Sequence, residues 1–474
     1  MFTDALSSRR AFMKLSSAGL SGLSLSSLIN VNAQAATGPA VTELHHRPKA
    51  KSVIFLYMSG GVSHVDSFDP KPKLKELHGQ PMPMKLERTQ FDANGSIQAP
   101  HWEWKKWGQS GVEMTNMFPH IAARADDIAI VRNMTAKFSE HAQGNFFMHT
   151  GFPFLGYPSA GAWVNYGLGS RNPNLPGFVV LRSAKAAIPH GGVSIFGNAF
   201  LPATSQGSIF NISGDQAVPN IRPSMLQAEQ KRSLDLLSSL DMGFAERCAA
   251  RDAVVASIAN AKTAFNMQES VPELTDISRE SKATREAYGI DDSDQQKSEY
   301  AKQCLIARRL VERGVRFVEL SCCSYGIGGG GGGNPWDQHS QLKNGHSKMA
   351  AQVDKPIAAL INDLKQRGML NDTLLVFTGE FGRTPFAQGS NGRDHNPFGF
   401  SLWLAGGGIQ GGRVYGQTDE FGYRAAGEVS TVYDLWATVL YQLGIDHEKL
   451  TYRWGGRDLR LTDVHGHVWD ALQA

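Results

Sequence analysis

Short runs of consecutive apolar residues recur along the chain, and longer segments with a helical period of apolar positions lie between them. The first run, residues 52–58, ends abruptly in the sequence SGG. Later runs occupy residues 128–131, 315–320, 373–378 and 400–404, and helical patterns occupy 348–367 and 432–443. Continuous apolar runs of this length are typical of strands buried on both faces of a parallel sheet. We therefore predict an α/β fold, a three-layer α/β/α sandwich with a mostly parallel central sheet.

This fold is predicted to form a single domain over residues 37–474 with two irregular segments. Residues 223–313 are polar and largely helical, which predicts a helical insertion. Residues 81–111 contain the aromatic stretch HWEWKKW. It predicts a small hairpin or rim strand; the alternative is a platform on which Trp102, Trp104 and Trp107 stack against a sugar ring.

Composition excludes several classes of protein. Of the 474 residues, 41% are hydrophobic and 19% are charged, and the net charge is only +3. This balance is ordinary for a globular protein and predicts neither a nucleic-acid partner nor binding to an anionic membrane surface. The four cysteines include no CxxC pair, so neither a disulfide framework nor a zinc ribbon is indicated.

The N-terminus carries an export signal. SRRAFMK at residues 8–14 matches the twin-arginine pattern, a weakly apolar stretch follows, and AQA at 33–35 offers a cleavage site. No later segment reaches the ~20 apolar residues that a membrane-spanning helix needs. We expect residues 1–36 to be a twin-arginine signal peptide, and a mature chain without an integral membrane segment that is periplasmic or secreted.

Reactive side chains collect directly after the predicted strands or just before the next one, where ligands bind in open α/β sheets. Four loops carry them, and in chain order these residues are His64 and Asp66, Asp337 and His339, Glu380 and Arg383, and Arg393, Asp394 and His395. Glycines on both sides of Glu380 predict a tight turn that exposes Glu380 and Arg383 at its tip.

Taken singly, each loop also fits an ordinary surface pair, a salt-bridged turn or a polar turn. Asp337 and His339 are two residues apart, a spacing at which both can point at one cation. Asp394 either orients the imidazole of His395 or ligates directly. Four such loops in succession favour a metal-centred site.

Five motifs follow one another from about residue 51 to the C-terminus: SGGVSHVDSFDPKP, WDQH, GEFGRTP, GRDHNP and LAGGGIQGGRVYG. With them the chain resembles the domain-of-unknown-function 1501 family, twin-arginine-exported bacterial proteins related to sulfatases. That family is similar to the alkaline phosphatase and sulfatase superfamily. The resemblance implies a mixed sheet with one or two divalent metal ions bound above it.

The resemblance also implies a partial set of metal ligands. Asp337 and His339 stand where the superfamily has ligands of its first metal, and His395 stands where a histidine precedes the next strand. A later strand of the superfamily ends in Asp-His-Gly, whereas here it ends in Glu380 and Phe381. Glu380 is still able to ligate, but Phe381 is not, so the second metal loses an imidazole.

The first strand differs too, because Ser59 stands where the superfamily has a metal-binding Asp. Asp66 or His64 is the candidate to replace it from farther along the loop.

The largest departure concerns the nucleophile. Sulfatases place a modified Cys nine residues before a Thr-Gly pair, and that position before Thr150 holds His141. Three readings stay open: His141 is a metal ligand or general acid/base, Ser139 or Ser63 is the nucleophile, or metal-activated water attacks directly.

These features together predict a metal-dependent hydrolase of a phosphate or sulfate ester, acting on an anionic small-molecule or glycan ester outside the cytoplasm. The expected cofactor is one divalent ion, either zinc, calcium or manganese. Arg383 or Arg393 would neutralise the anionic group, since the planar guanidinium matches tetrahedral oxyanions. The alternative is a non-catalytic binding or structural protein in which a metal only holds the loops together.

Overall fold

The computed structural model of the chain describes residues 39–88, 91–183, 188–214, 216–247, 251–329 and 332–474. The signal peptide predicted for residues 1–36 lies outside these described residues.

The strands, numbered in chain order, are β1 (Ser52–Tyr57), β2 (Asn94–Ile97), β3 (Trp104–Trp107), β4 (Val112–Thr115), β5 (Ile128–Thr135), β6 (Phe178–Arg182), β7 (Ser208–Asn211), β8 (Phe317–Ser321), β9 (Thr373–Thr378), β10 (Gly382–Gln388), β11 (Gly392–Asn396), β12 (Phe400–Ala405), β13 (Arg413–Tyr415), β14 (Gln417–Thr418), β15 (Ala425–Ala426), β16 (Ser430–Thr431), β17 (Tyr452–Trp454) and β18 (Arg457–Leu459). The α-helices are α1 (Pro72–Glu76), α2 (Pro119–Ala122), α3 (His141–Thr150), α4 (Ala160–Leu168), α5 (Gln227–Ala245), α6 (Arg251–Thr275), α7 (Lys282–Tyr288), α8 (Gln295–Glu312), α9 (Leu342–Gln366) and α10 (Val432–Gln442).

Within the described part of the chain, nine strands form the central sheet in the order β13-β5-β12-β9-β1-β8-β6-β7, and β16 pairs with β5 beside β13. β9, β1, β8, β6 and β7 are mutually parallel, whereas β12 runs antiparallel to both β9 and β5. The five apolar runs all form strands of this sheet. The predicted fold class, with its mostly parallel central sheet, is confirmed.

Side chains on the central strand β1 alternate between two helical layers, as the pleat of a strand requires. Val53, Phe55 and Tyr57 pack in one hydrophobic cluster with α3, α4 and α10. Ile54, Leu56 and Met58 pack in the other with α2, α8 and α9. All six are 0–1% exposed, and full burial of such side chains contributes about 1.5–3 kcal/mol each. Burial on both faces therefore explains why the run is apolar without interruption.

Smaller elements cover the end of the sheet at which the parallel strands finish. β10 and β11 form an antiparallel hairpin, and β2 adds a third strand to it. β3 and β4 form the hairpin predicted from the aromatic stretch, in which the Trp107 indole donates to the carbonyl of Met114 at 3.0 Å. Helices α5 to α8 lie between β7 and β8 along the chain, and α8 packs into the core against α9.

Candidate metal centre

The candidate site is assembled from three separate parts of the fold. Asp337 and His339 lie in the loop between β8 and α9. His395 lies on β11, paired with Arg383 on β10. His141 is the first residue of α3, a helix whose start is capped by the carboxylate of Glu140, which accepts from the backbone N–H of Gln143 at 3.0 Å. Each donor is thus held by a turn, a strand or a helix terminus.

Asp337 stands at the centre of this site. Its Oδ1 is 2.8 Å from Nε2 of His339 and 3.1 Å from Nε2 of His395, and its Oδ2 is 3.1 Å from Nε2 of His141. One ligand atom from each of these four residues lies within 4.8 Å of all the others. His141, Asp337 and His395 are buried and His339 is half-buried.

The far side of each imidazole is occupied by an oxygen. Nδ1 of His141 is 2.6 Å from Oε1 of Glu380, and Nδ1 of His395 is 2.5 Å from the carbonyl of Ser139. Nδ1 of His339 contacts the side-chain oxygen of Gln388. Histidines that bind metals commonly donate their second N–H in this way. All three Nε2 atoms are therefore left facing Asp337.

One atom of the site has no hydrogen-bond partner among the described residues. Nε2 of His141 is buried and makes no hydrogen bond of acceptable geometry, although Oδ2 of Asp337 is 3.1 Å away. A buried polar atom without a partner costs about 1–3 kcal/mol. Three imidazole nitrogens and one carboxylate form a donor set that suits a borderline divalent metal, and a cation among them would satisfy this atom.

Burial and charged neighbours shift the pKa values of the cluster in different directions. Burial opposes ionisation of Asp337, but Arg383, 2.6 Å from Oδ1, and the three imidazoles outweigh it and hold the pKa of Asp337 far below its usual range. Burial also disfavours the charged form of His141, yet the Asp337 and Glu380 carboxylates raise its pKa to about 9. The pKa of His395 is well below its usual value, because the ring is buried and Arg383 is close.

The tip of the GEFGRTP loop, which was expected to be exposed, is buried: Glu380 and Arg383 are both 0% exposed. That expectation was wrong because the turn packs against the loop after β1, where Glu380 accepts from the backbone N–H of Gly60 and Arg383 donates to the carbonyl of Gly61. Every nitrogen of the Arg383 guanidinium contacts the protein, namely Asp337 and the carbonyls of Gly60, Gly61 and Arg393.

Arg393 is equally enclosed. It is 0% exposed, its Nε donates to Asp66 at 2.8 Å, and its other nitrogens donate to the carbonyls of Thr384, Gln98 and Ala99. The expectation that Arg383 or Arg393 meets an anionic substrate group stays a prediction, and the structure shows both guanidinium groups bound to protein acceptors. Both guanidinium groups are committed to protein acceptors and hold carboxylates and loops in place.

Asp66 and His64 lie outside the cluster of four donors. Asp66 accepts from Ser63 Oγ at 2.6 Å, from Arg393 at 2.8 Å and from the backbone N–H of His101 at 2.8 Å. Nε2 of His64 is 2.7 Å from the carbonyl of Gly422. Ser63, one candidate nucleophile, is fully buried with its hydroxyl bound to Asp66.

The site also includes contacts that the sequence did not predict. Tyr57 at the end of β1 and the backbone N–H of Gly60 both donate to Glu380. The ring of Phe381 packs against those of His395 and His141, at centroid distances of 4.5 and 5.1 Å. Phe381 thus covers two of the imidazoles in the cluster. The signal for Tyr57 was its position at the end of an apolar run, which also fits a plain core residue.

A cleft of about 330 Å³ opens onto the cluster, with Asp337 and His339 in its wall beside Ser340 and Asn344. Phe91 lies against the outer side, with its ring centroid 4.6 Å from that of His339. The cluster is therefore covered on most sides and reaches solvent beside His339.

The fold and this cluster together define a mixed α/β protein with a candidate metal centre at the carboxyl ends of its parallel strands. A family model described as a protein of unknown function (DUF1501) matches residues 50–472, and the chain belongs to this family. The membership that the motifs predicted is confirmed. A comparison with curated proteins gives no match.

Solved structures similar to the chain include a sulfatase, a phosphonate monoester hydrolase and an alkaline phosphatase. The PsFucS1 sulfatase from Pseudoalteromonas sp. is 12% identical, with 85% of this chain and 69% of that one covered and a TM-score of 0.36. The phosphonate monoester hydrolase of Agrobacterium radiobacter is 14% identical, with coverages of 84% and 74% and a TM-score of 0.35. A TAB5 alkaline phosphatase mutant with bound Mg is 11% identical, with coverages of 77% and 92% and a TM-score of 0.32. At these values the similarity assigns no activity.

Among the described residues, the helices are all too short or too polar to cross a membrane.

Proposed function

We propose that this protein is a metal-dependent hydrolase of a phosphate or sulfate ester, and that it acts outside the cytoplasm. The observation that carries the proposal is the convergence of three Nε2 atoms on the Asp337 carboxylate, with Nε2 of His141 buried, 3.1 Å from Oδ2 of Asp337 and without a hydrogen bond of acceptable geometry. A cluster of this kind is costly in a folded protein unless a bound cation compensates for it.

His141, Asp337, His339 and His395 would hold the ion. Calcium prefers six to eight oxygen ligands and manganese also suits oxygen donors, so the imidazole-rich set favours zinc among the three expected ions. The ion would polarise the ester and lower the pKa of a water molecule, which are the roles of such metals in hydrolysis. The cleft beside His339 is the route by which the ester would reach the site.

The protein's own residues have supporting tasks. Arg383 keeps Asp337 ionised and fixes one of its oxygens. Phe381 excludes water from the inner side of His395 and His141. Because His141 occupies the position of the sulfatase nucleophile, we propose direct attack by water without a covalent enzyme intermediate. Location outside the cytoplasm rests on the twin-arginine sequence at residues 8–14.

The test is turnover of a panel of aryl phosphates, aryl sulfates and sulfated or phosphorylated glycans by the zinc- and manganese-loaded protein. His395→Ala is expected to reduce turnover to the level of the chelated wild type. His447→Gln is the matched control, since His447 is partly buried and bonds to Thr462 away from the cluster. Equal turnover by wild type and His395→Ala would overturn the proposal.

A second candidate is a non-catalytic binding or structural protein stabilised by its metal. Four protein donors complete a tetrahedral zinc shell, and structural zinc sites are closed in this way whereas catalytic sites keep a position open. Stoichiometric bound metal together with no turnover of any ester in the panel would favour this candidate over the hydrolase.

A further inference from the structure

Glu380 contacts His141 on the side away from the four candidate metal ligands, and the sequence suggested that Glu380 is itself a metal ligand. We propose instead that Glu380 is a positioning residue, which fixes the ring of His141 so that Nε2 faces the ion. The proposal rests on the metal site of the proposed function and concerns how that site is built.

Both oxygens of Glu380 are already occupied by donors from the protein. Oε1 is 2.6 Å from Nδ1 of His141, and the backbone N–H of Gly60 is 2.9 Å from Oε1 and 3.0 Å from Oε2. The hydroxyl of Tyr57 donates to Oε2 at 3.2 Å. The carboxylate is 0% exposed, and it is not among the four donors that converge. Glu380 therefore contacts a candidate ligand, His141, and is not one of the four converging donors itself.

The backbone around Glu380 is shaped to allow this approach. Gly60 has φ +109°, and a Cβ there would lie 2.5 Å from the backbone nitrogen of Asp337. A Cβ on Gly144 of α3 would lie 3.1 Å from Cβ of Glu380. Any side chain at Gly60 would push the Asp337 loop away, and one at Gly144 would crowd α3 against Glu380. Both glycines keep Glu380, His141 and Asp337 in contact.

The same carboxylate orients α3 as well as one ring. The Tyr57 hydroxyl lies between Oε2 of Glu380, at 3.2 Å, and the side-chain oxygen of Asn145, at 2.5 Å, and its single proton is shared between these two acceptors. His141 and Asn145 are one helical turn apart, so the Glu380–Tyr57 pair contacts α3 at two successive positions on one face. With Nδ1 of His141 engaged, Nε2 is the nitrogen that remains for the metal. This is the carboxylate–histidine–metal arrangement seen in many metal sites.

The same helix carries the histidine of a second buried Glu–His pair, which does not contact the four candidate metal ligands. His149, two turns farther along α3, has Nε2 2.8 Å from Oε1 of Glu319, and both side chains are 2% exposed. Nδ1 of His149 contacts the carbonyl of Asn145 at 2.7 Å, so both its nitrogens are used inside the protein. Glu319→Gln therefore alters a buried Glu–His pair of equal burial without touching the four donors.

The experiment compares Glu380→Gln with Glu319→Gln in the full chain, by titrating chelator-treated protein with Zn²⁺ and with Co²⁺. For Glu380→Gln we expect the Zn²⁺ dissociation constant to rise about 10- to 100-fold, with a Co²⁺ visible spectrum that is unchanged from that of the wild type. For Glu319→Gln we expect the dissociation constant of the wild type. Unfolding of both metal-free variants is measured alongside, and similar losses of stability show that the affinity change is specific.

Unchanged Zn²⁺ affinity in Glu380→Gln would overturn the proposal, and so would a change in the Co²⁺ spectrum to a different coordination, which would make Glu380 a ligand. If Glu380→Gln does not fold, Tyr57→Phe is tested instead, because it removes one of the contacts that hold the Glu380 carboxylate. Weaker Zn²⁺ binding by Tyr57→Phe would support the proposal, and a Zn²⁺ affinity equal to that of the wild type would reject it. Ester turnover is measured separately. If the wild type binds Zn²⁺ but turns over no ester, the hydrolase proposal is rejected and the positioning role of Glu380 is not. A wild type that binds no metal overturns both.

Discussion

Asp66 and Asp337 are both buried carboxylates in loops that follow the neighbouring parallel strands β1 and β8, yet their surroundings differ. Asp66 receives a guanidinium, a hydroxyl and a backbone N–H, so its oxygens are fully used by hydrogen bonds. Asp337 faces three imidazoles and one guanidinium, and one of these imidazoles keeps an unpaired nitrogen. A carboxylate whose hydrogen bonds are all made within the protein stabilises the fold. A carboxylate surrounded by several imidazoles forms, together with them, a group that is able to bind a metal ion.

The largest expected effect is the loss of stability when Asp66 is replaced. Asp66→Ala leaves Arg393 buried without its counter-charge, and we expect the free energy of unfolding to fall by about 3–5 kcal/mol. Urea unfolding measures this loss, and metal content per folded molecule should stay at the wild-type value. The double variant Asp66→Ala with Arg393→Met should recover part of the stability. Loss of metal with no loss of stability would show that Asp66 belongs to the site.

The second effect concerns Asp337. Asp337→Asn removes the one charged donor, and we expect the Zn²⁺ dissociation constant to rise at least ~100-fold, which is about 2.7 kcal/mol, since even orienting residues cost 10- to 100-fold. Calorimetric titration measures it, with His447→Gln as the control. An affinity equal to that of the wild type would remove Asp337 from the centre of the site.

Removal of the metal should also distinguish Asp66 from Asp337 by its effect on stability. At a free metal concentration ~100 times the dissociation constant, binding to the native state stabilises it by about 2.7 kcal/mol. We expect a chelator to lower the free energy of unfolding of the wild type and of Asp66→Ala by this amount. Asp337→Asn should be almost insensitive to the chelator. A chelator effect of equal size in Asp337→Asn would contradict the assignment.

The sequence predicted the sheet well because burial on both faces leaves a direct trace in composition. The central run at 52–58 is apolar without a break, and β1 is covered by helices on both sides. The edge of the sheet was less visible, because the edge strand β7 is short and of mixed composition. β6 was also missed, although it lies inside the sheet and its residues are mostly apolar and buried. Local pattern reports burial, and edge strands are only partly buried.

The site was harder to predict because the sequence gives residue types but not their partners. Asp337, His339 and His395 were expected together and the structure brings them together. Arg383 was expected at an exposed tip, but its guanidinium is buried against Asp337 and the loop after β1. The different fates of similar loops depend on contacts between residues that are hundreds of positions apart, which no local motif records.

His346 connects the two carboxylate regions. Its Nε2 accepts a hydrogen bond from the backbone N–H of Ser63, whose hydroxyl binds Asp66, at 3.0 Å. Its Nδ1 is 2.5 Å from the side-chain oxygen of Gln338, the residue after Asp337. The ring is 0% exposed, and burial, with a smaller effect of the nearby guanidinium groups, lowers its pKa to about 3. The native state therefore holds this imidazole neutral.

The smallest predicted effect follows from that neutrality. Below about pH 6.5 the unfolded chain binds a proton at His346 that the folded chain refuses, so stability falls as the pH falls from about 6.5 towards 3. Between pH 7.5 and pH 5 this residue should account for a loss of about 2 kcal/mol, and His346→Gln should lose less by that amount. Urea unfolding of both proteins with chelator present measures the difference, because metal release then contributes to neither curve. Parallel curves would mean that His346 is protonated in the folded protein, and the tight link between the Asp66 and Asp337 regions would have to open to admit that charge.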